Sequence, residues 1–166
     1  SWETRDPYSF LPVPGELDLH LFSSGKDLQL HRKMGARVRT VKGVQGTLFT
    51  VWAPNARGVS VVASFNNWDH RRHPMRSLGS SGVWELFIPG TGCGDYYRFS
   101  INTSHGRRLE KSDPYATFFE KRPGNSSMIA DPFSFQWSDG GWMEERGKTD
   151  PFSSPVSIYE LHGPSW

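Results

Sequence analysis

The feature that most constrains this chain is a series of short runs with period-two alternation, each closed by glycine or proline. In residues 46–53, Leu48, Thr50 and Trp52 would share one face of a strand, and apolar side chains also occupy the other face. Apolar residues on both faces predict a strand that is covered on two sides. Pro54 ends this run, because proline cannot continue the hydrogen-bond ladder of a central strand.

Similar runs follow at residues 59–63, 83–88 and 96–101, with a hairpin tip predicted at 104–106. The run at 59–63 is short enough to pair back on the preceding strand as its hairpin partner. An aromatic share of 14%, with 17 glycines and 12 prolines, also favours short strands and many turns over a helical bundle. We therefore predict an all-β fold, an antiparallel β-sandwich with its core at residues 44–131.

The flanks have a different character. Apolar residues mixed with acids favour a short helix over residues 16–22, although strict alternation at 17–21 also allows a strand. Residues 132–156 are rich in tryptophan, glycine and acids, which is typical of a linker that wraps a domain. Residues 157–162 predict a strand that begins just before the chain stops, and a strand without a partner indicates a cut domain.

Charge and cysteine content exclude several classes of function. The net charge is +2 with acids and bases interleaved, so the sequence does not indicate binding to nucleic acid. Cys93 is the only cysteine, and no apolar run is long enough for a membrane span, so we expect no membrane partner and a soluble, reducing compartment, the cytoplasm. No nucleophile motif and no metal-ligand spacing is present, so no catalytic and no metal-binding residue is predicted.

The segment FNNWD at residues 65–69 contains the best candidate for a binding site. A sugar ring has an apolar C–H face and a rim of hydroxyls, so its site needs a flat aromatic ring with donors and acceptors around it. Trp68 beside Asn66 and Asn67 supplies this combination. Alternatively, Trp68 closes the end of the sandwich as a core residue and the two amides satisfy a turn.

The basic block that follows, His70-Arg71-Arg72-His73, leaves three interpretations open. It could contact a phosphate, hold a metal between its two histidines, or clamp a neighbouring domain. A metal pair lacks a third ligand at suitable spacing, whereas arginine forks commonly bind carboxylates or carbonyls of another domain. We therefore expect interdomain packing here.

Taken together, these motifs resemble the amino-terminal region of a bacterial 1,4-α-glucan (glycogen) branching enzyme, which contains a family 48 carbohydrate-binding module. The matching runs are FTVWAPNA at residues 49–56, VSVV at 59–62, FNNWD at 65–69, RRHPM at 71–75, GVWELFIP at 82–89, KSDPYA at 111–116 and PVSIYE at 155–160. The FNNW part is shared with other proteins that act on α-glucans, including debranching enzymes. The RRHPM run and its spacing to DPYA favour the branching enzymes in particular.

The resemblance implies an immunoglobulin-like sandwich at residues 44–131, preceded at 1–43 by the end of an earlier module and a helical linker. Residues 132–156 would be a linker, and 157–166 would open a truncated catalytic (β/α)8 barrel. The parent enzyme would form α-1,6 branches during glycogen biosynthesis. Its catalytic residues would lie beyond this chain, so the chain alone is expected to be inactive and to need no cofactor.

The resemblance, which covers Trp68, Arg98 and Asn125, and the local chemistry of the remaining residues together assign roles to two groups. The positions for binding an α-1,4-glucan, glycogen or a maltooligosaccharide are Trp68, Asn66, Asn67, Arg98 and Asn125. Those for packing against the protein's own catalytic barrel are Arg71, Arg72, His73 and Met75. A stand-alone glycogen-binding or scaffold module, or the module of a debranching enzyme, is the alternative.

Two features depart from the pattern of that family. The first strand of its barrel usually reads EVHLGSW, whereas this chain has Gly163-Pro164 at the corresponding point, and a proline there would disturb a strand. Glucan-binding members often have a second tryptophan near the later hairpin, and residues 107–109 contain none. Half of the expected sugar platform is therefore missing from the sequence.

Overall fold

A computed structural model of the chain describes residues 5–165. The chain divides at Pro132 into two units, and residues 5–132 of the larger, amino-terminal unit contain nine strands, β1 to β9. Their order and pairing follow the alternating pattern, because each paired strand directs one set of side chains inward and the other outward.

The first sheet, called sheet A, has four antiparallel strands in the order β1-β2-β5-β4. They span Gly35–Val41 (β1), Val44–Trp52 (β2), Val83–Pro89 (β5) and Arg76–Ser77 (β4). The strand β1 pairs along its whole length with β2, so the sheet begins before the boundary expected at residue 44. The assignment of residues 35–41 to a helical linker is therefore wrong.

The second sheet, called sheet B, follows the order β3-β6-β9-β8, with β7 also paired to β6. Its strands span Ala56–Ala63 (β3), Tyr96–Thr103 (β6), Arg108–Lys111 (β7), Phe118–Phe119 (β8) and Ser127–Met128 (β9). The hairpin predicted around residues 104–106 is confirmed by the pairing of β6 with β7. All pairs in this sheet are antiparallel.

The expectation that residues 59–63 pair back on β2 is wrong. The strand β3 pairs instead with β6, in register from Val59 opposite Ile101 to Ala63 opposite Tyr97. The turn after β2, in which the Ala56 N–H donates to the Ala53 carbonyl, carries the chain from one sheet to the other. This crossing of the chain between sheets produces a sandwich where a local hairpin would have produced a single sheet.

Aromatic side chains from both sheets meet between the layers. The ring of Phe49 on β2 packs edge-on against Tyr97 on β6 with 5.2 Å between centroids, and Tyr97 contacts Phe99 in the same manner at 5.8 Å. The Tyr97 hydroxyl donates a hydrogen bond to the buried Asp113 carboxylate. Burial raises the pKa of Tyr97 and also that of Asp113.

The prediction that β2 is covered on two sides is confirmed. Leu48, on the face of β2 that points away from the sandwich core, is buried with Phe87 and Phe10, and the two phenylalanine rings lie 4.8 Å apart. The helix favoured over residues 16–22 is present as α1, Glu16–Ser23. Its first turn is capped by Asp18, whose carboxylate accepts from the Gly15 N–H at 3.0 Å.

The smaller unit begins at residue 133 and contains a helix, α2, at Gly140–Lys148. This helix lies in the stretch expected to be a linker, and with three glycines among its nine residues the sequence did not indicate it. Residues 157–162, expected to open a barrel, have no partner strand among residues 5–165 and are not in a strand. The barrel strand stays a prediction, because a strand needs a partner to form.

Within residues 5–165, neither helix has the length and apolar character needed to cross a lipid bilayer.

The packing of Phe10 on sheet A can be tested by comparing alanine variants of Phe10 and of its exposed neighbour, Leu11. Phe10 is 5% exposed and Leu11 is 69% exposed. Replacing Phe10 by alanine opens a cavity over Leu48 and Phe87, and we expect a loss of about 3 kcal/mol in the free energy of unfolding. Urea denaturation followed by tryptophan fluorescence measures this loss. The Leu11→Ala control should lose less than about 0.5 kcal/mol, and equal losses would contradict the packing described.

Candidate functional site

The FNNWD segment folds into a tight turn directly after β3. A single 3₁₀ turn at Ser64–Asn66 leads to two consecutive residues in the left-handed region, Asn67 with φ 56° and Trp68 with φ 57°. The turn is closed by the Asp69 N–H, which donates to the Asn66 carbonyl at 3.2 Å. Asparagine tolerates this backbone conformation, whereas tryptophan rarely adopts it, at a cost of about 1 kcal/mol. Surrounding contacts must therefore hold Trp68 in place.

The side chain of Asn66 supplies these contacts from inside the protein. Its Oδ1 accepts the Ala63 N–H at 2.9 Å, and its Nδ2 donates to the Val61 carbonyl at 2.9 Å and to His73 Nδ1 at 2.8 Å. Asn66 is only 1% exposed, so the expectation that it contacts a sugar is wrong. Its amide satisfies the turn, which is the alternative considered from the sequence.

Trp68 and Asn67, in contrast, lie on the surface. The side chain of Trp68 is exposed, and the residue as a whole is 40% exposed. Its backbone N–H donates to the Ala63 carbonyl at 3.0 Å, which fixes the backbone of Trp68 to the end of β3. The turn thus places one ring and one free amide at the protein surface above sheet B.

Arg98 lies beneath this ring. It is on β6 between the inward-facing Tyr97 and Phe99, so its side chain leaves the outer face of sheet B. Its guanidinium carbon is 5.4 Å from the centroid of the Trp68 ring, a cation–π arrangement. The Nε of Arg98 donates to Ser126 Oγ at 3.2 Å, and its Nη1 is 3.4 Å from a Glu110 carboxylate oxygen. Arg98 is therefore held by Ser126 next to β9, by Glu110 on β7 and by the Trp68 ring.

Asn125 is exposed and comes directly before Ser126, the residue that binds Arg98. Its carbonyl accepts a hydrogen bond from the Ser112 hydroxyl. The structure therefore brings Trp68, Arg98 and the loop of Asn125 to one face of sheet B. Glu110 also belongs to this surface, and the buried Ser126 supports it by holding Arg98. Sequence reasoning missed both. Both could be identified only from the pairing of β6 with β7 and β9, which places them beside Arg98.

The residues expected to pack against another domain separate into three environments. Arg71 forms a fork on Asp69, with Nε and Nη2 each 2.9 Å from a carboxylate oxygen, and this contact lowers the pKa of Asp69. Arg72 is exposed, and His73 is half-buried with its ring against Phe65. Met75 is 5% exposed and belongs to the sandwich core, so its assignment to an interdomain surface is wrong.

The surface combines apolar and polar groups. It presents an aromatic face, an amide, a guanidinium and a carboxylate, which together match the apolar and polar parts of a sugar ring. Nowhere in the part of the chain described, residues 5–165, do three or more His, Cys, Asp or Glu side chains gather as a metal site would require.

A β-sandwich with such a surface on one sheet has the fold and the surface chemistry expected of a carbohydrate-binding module. The family described as carbohydrate-binding module 48 (isoamylase N-terminal domain) matches residues 33–116, and this chain belongs to that family. The matched range begins just before β1, in agreement with the first strand of sheet A rather than with a start at residue 44.

Nearly the whole chain is also similar to 1,4-alpha-glucan branching enzymes. It is 52% identical over 165 residues to GlgB 1 of Xanthomonas axonopodis pv. citri, covering 99% of this chain and 23% of that protein. It is 51% identical over 161 residues to GlgB of Protochlamydia amoebophila, covering 97% of this chain and 22% of that protein. The chain therefore spans less than a quarter of the length of these relatives. Among solved structures, a pullulanase from Klebsiella pneumoniae aligns with 59% of this chain and 9% of its own, at 27% identity and a TM-score of 0.49.

The left-handed backbone at Asn67 gives a test of the turn. Alanine would keep the fold but lacks the short polar side chain that lets asparagine tolerate the left-handed region, so Asn67→Ala should lower the free energy of unfolding by about 1 kcal/mol. Glycine adopts positive φ freely, and Asn67→Gly should stay within about 0.5 kcal/mol of the parent. Thermal or urea unfolding measures both values. Equal effects of alanine and glycine would rule out this backbone conformation.

Proposed function

We propose that the outer face of sheet B binds α-1,4-glucan chains such as glycogen or a maltooligosaccharide. The observation that supports this most is the exposed Trp68 ring, held in an unfavourable backbone conformation with the Arg98 guanidinium 5.4 Å from its centroid. A flat ring fixed in this way is suited to stacking against the apolar face of a glucose unit.

Hydrogen bonds to the hydroxyl rim would come from groups around the ring. Asn67 and Asn125 are both exposed, and the Glu110 carboxylate lies beside Arg98. The second tryptophan is absent from residues 107–109, but Arg108 there has its Nη1 3.4 Å from His70 Nδ1, which joins the hairpin to the turn of Trp68. The proposed site therefore combines one stacking ring with several polar contacts.

The chain as a whole is proposed to be the noncatalytic amino-terminal part of a cytoplasmic 1,4-α-glucan branching enzyme. The support is about 50% identity to such enzymes over almost the full chain. In this arrangement the sandwich holds glucan chains and braces a catalytic barrel that begins near residue 157, with residues 133–156 as the connection. Arg72, which is exposed beside the Trp68 turn, is a suitable residue for contact with the barrel.

The reading frame after Trp166 tests the proposal for the whole protein. A continuation that encodes further βα units, and a product that adds α-1,6 branches to amylose as measured by the shift of the iodine–glucan absorbance, is the expected result. A stop codon at that point would contradict it and would favour a stand-alone glycogen-binding module.

A titration of the chain with maltoheptaose tests the binding site itself. We expect Trp68→Ala to weaken binding at least about tenfold, because loss of a central aromatic contact usually costs more than 1.4 kcal/mol. Trp52→Ala is the matched control, since Trp52 is 55% exposed but lies on sheet A. Calorimetry or intrinsic fluorescence measures the affinity. Unchanged binding by the Trp68 variant would remove this surface from consideration.

A further inference from the structure

The hydrogen bonds around Asn66 determine which end of its amide points where. One end faces the Ala63 N–H, which can only donate, and the other faces the Val61 carbonyl, which can only accept. The oxygen must therefore face Ala63 and the nitrogen must face Val61. The reversed amide would place donor against donor and acceptor against acceptor in a buried site.

This orientation also determines the protonation state of His73. With its first N–H on Val61, Asn66 Nδ2 directs its second N–H at His73 Nδ1, 2.8 Å away. The ring nitrogen must accept, so it carries no hydrogen. A doubly protonated imidazolium would bring two donors together at this distance. The network therefore needs a neutral His73 with its proton on Nε2.

We propose that His73 is a positioning residue for the Trp68 surface: neutral His73 completes the hydrogen bonds of Asn66, and protonation of its ring releases the turn that presents Trp68. Asn66 connects the two residues, because its side chain holds Ala63 and Val61 while its carbonyl accepts the bond that closes the turn. Loss of the bond to His73 leaves a buried N–H unpaired beside two strained residues. Fewer hydrogen bonds then compensate for the unfavourable backbone conformation of the turn.

The surroundings of His73 favour the neutral ring. It packs against the Phe65 ring at 5.7 Å between centroids, its carbonyl is bonded to the Val61 N–H, and the charged Arg72 precedes it. Burial, with a smaller effect of Arg72, lowers the pKa of His73 below its usual 6.5. The nearby Asp69 carboxylate is engaged by Arg71. The neutral form and the stability it supports are complete above pH 6.5 and decline as the pH falls through the lowered pKa.

The effect on glucan affinity rests on the binding function proposed above, but the effect on the turn does not. The two are therefore measured separately on the 166-residue chain. In ¹H–¹⁵N spectra recorded between pH 8 and pH 4.5, the Asn66 side-chain amide and the Trp68 indole N–H should shift with the same midpoint as the His73 ring protons. Signals of both groups that stay constant through the His73 titration would overturn the proposal.

Variants separate positioning from general folding effects. In His73→Asn, the side-chain oxygen replaces Nδ1 as an acceptor that does not titrate, so the Trp68 indole should lose its pH response. His70→Asn is the matched control, because His70 lies in the same loop but contacts Arg108, and it should keep that response. The opposite pattern, with the response abolished in the His70 variant and kept in the His73 variant, would also overturn the proposal.

Maltoheptaose titrations then test the consequence for binding. Between pH 7.5 and pH 5 the parent chain should lose roughly three- to tenfold in affinity, the effect of one hydrogen bond, and His73→Asn should lose little. A pH-independent affinity in the parent would contradict the inference alone. Absence of maltoheptaose binding at every pH would contradict the proposed function, while the spectra would still decide whether His73 positions the turn.

Discussion

The contact between Phe49 and Tyr97 is the interaction on which the rest of this structure depends. These rings join sheet A to sheet B at the centre of the sandwich, 5.2 Å apart. Because side chains alternate along a strand, directing Tyr97 and Phe99 inward leaves Arg98 pointing out from sheet B. The Tyr97 hydroxyl also reaches Asp113, which ties the segment after β7 to the core. The inward packing of Tyr97 and Phe99 thus fixes the outward position of Arg98 under Trp68.

The sequence was a good guide to which segments form strands and a poor guide to where they pair. The alternation in β2, β5 and β6 was enough to predict them. Alternation alone does not state which sheet a strand joins, so β3 was assigned to a hairpin with β2 and pairs with β6. In β1, small and basic residues alternate, as in Ala36-Arg37-Val38-Arg39, and this weak contrast was assigned to a linker. The helix α2 has three glycines, and glycine has the lowest helix propensity after proline.

The candidate site was predicted in its composition but not in its division of roles. The sequence left open whether Trp68 is exposed or closes the end of the sandwich, and the structure leaves 40% of it exposed. Burial of Asn66 could not be predicted, since a buried amide is recognisable only once its three partners are in place. Met75 was placed with its basic neighbours on the surface, but its N–H pairs with the Val59 carbonyl along β3 and its side chain enters the core. Both errors arise because the local sequence pattern carries no information about contacts between residues that only the folded sheets bring together.

The burial of Leu48 under Phe10 has a consequence for the whole amino-terminal unit. Phe10 and Val13, from the segment before β1, cover the outer face of sheet A at this point. The sandwich is therefore asymmetric, because one outer face is covered by its own chain while Arg98 and Trp68 are partly exposed on the other. A glucan bound at the proposed site on sheet B would therefore not compete with the covering segment for space. A domain joined to this chain would meet such a glucan at a local concentration far above that in bulk solution. The asymmetry thus keeps the residues that stabilise sheet A apart from the proposed binding site.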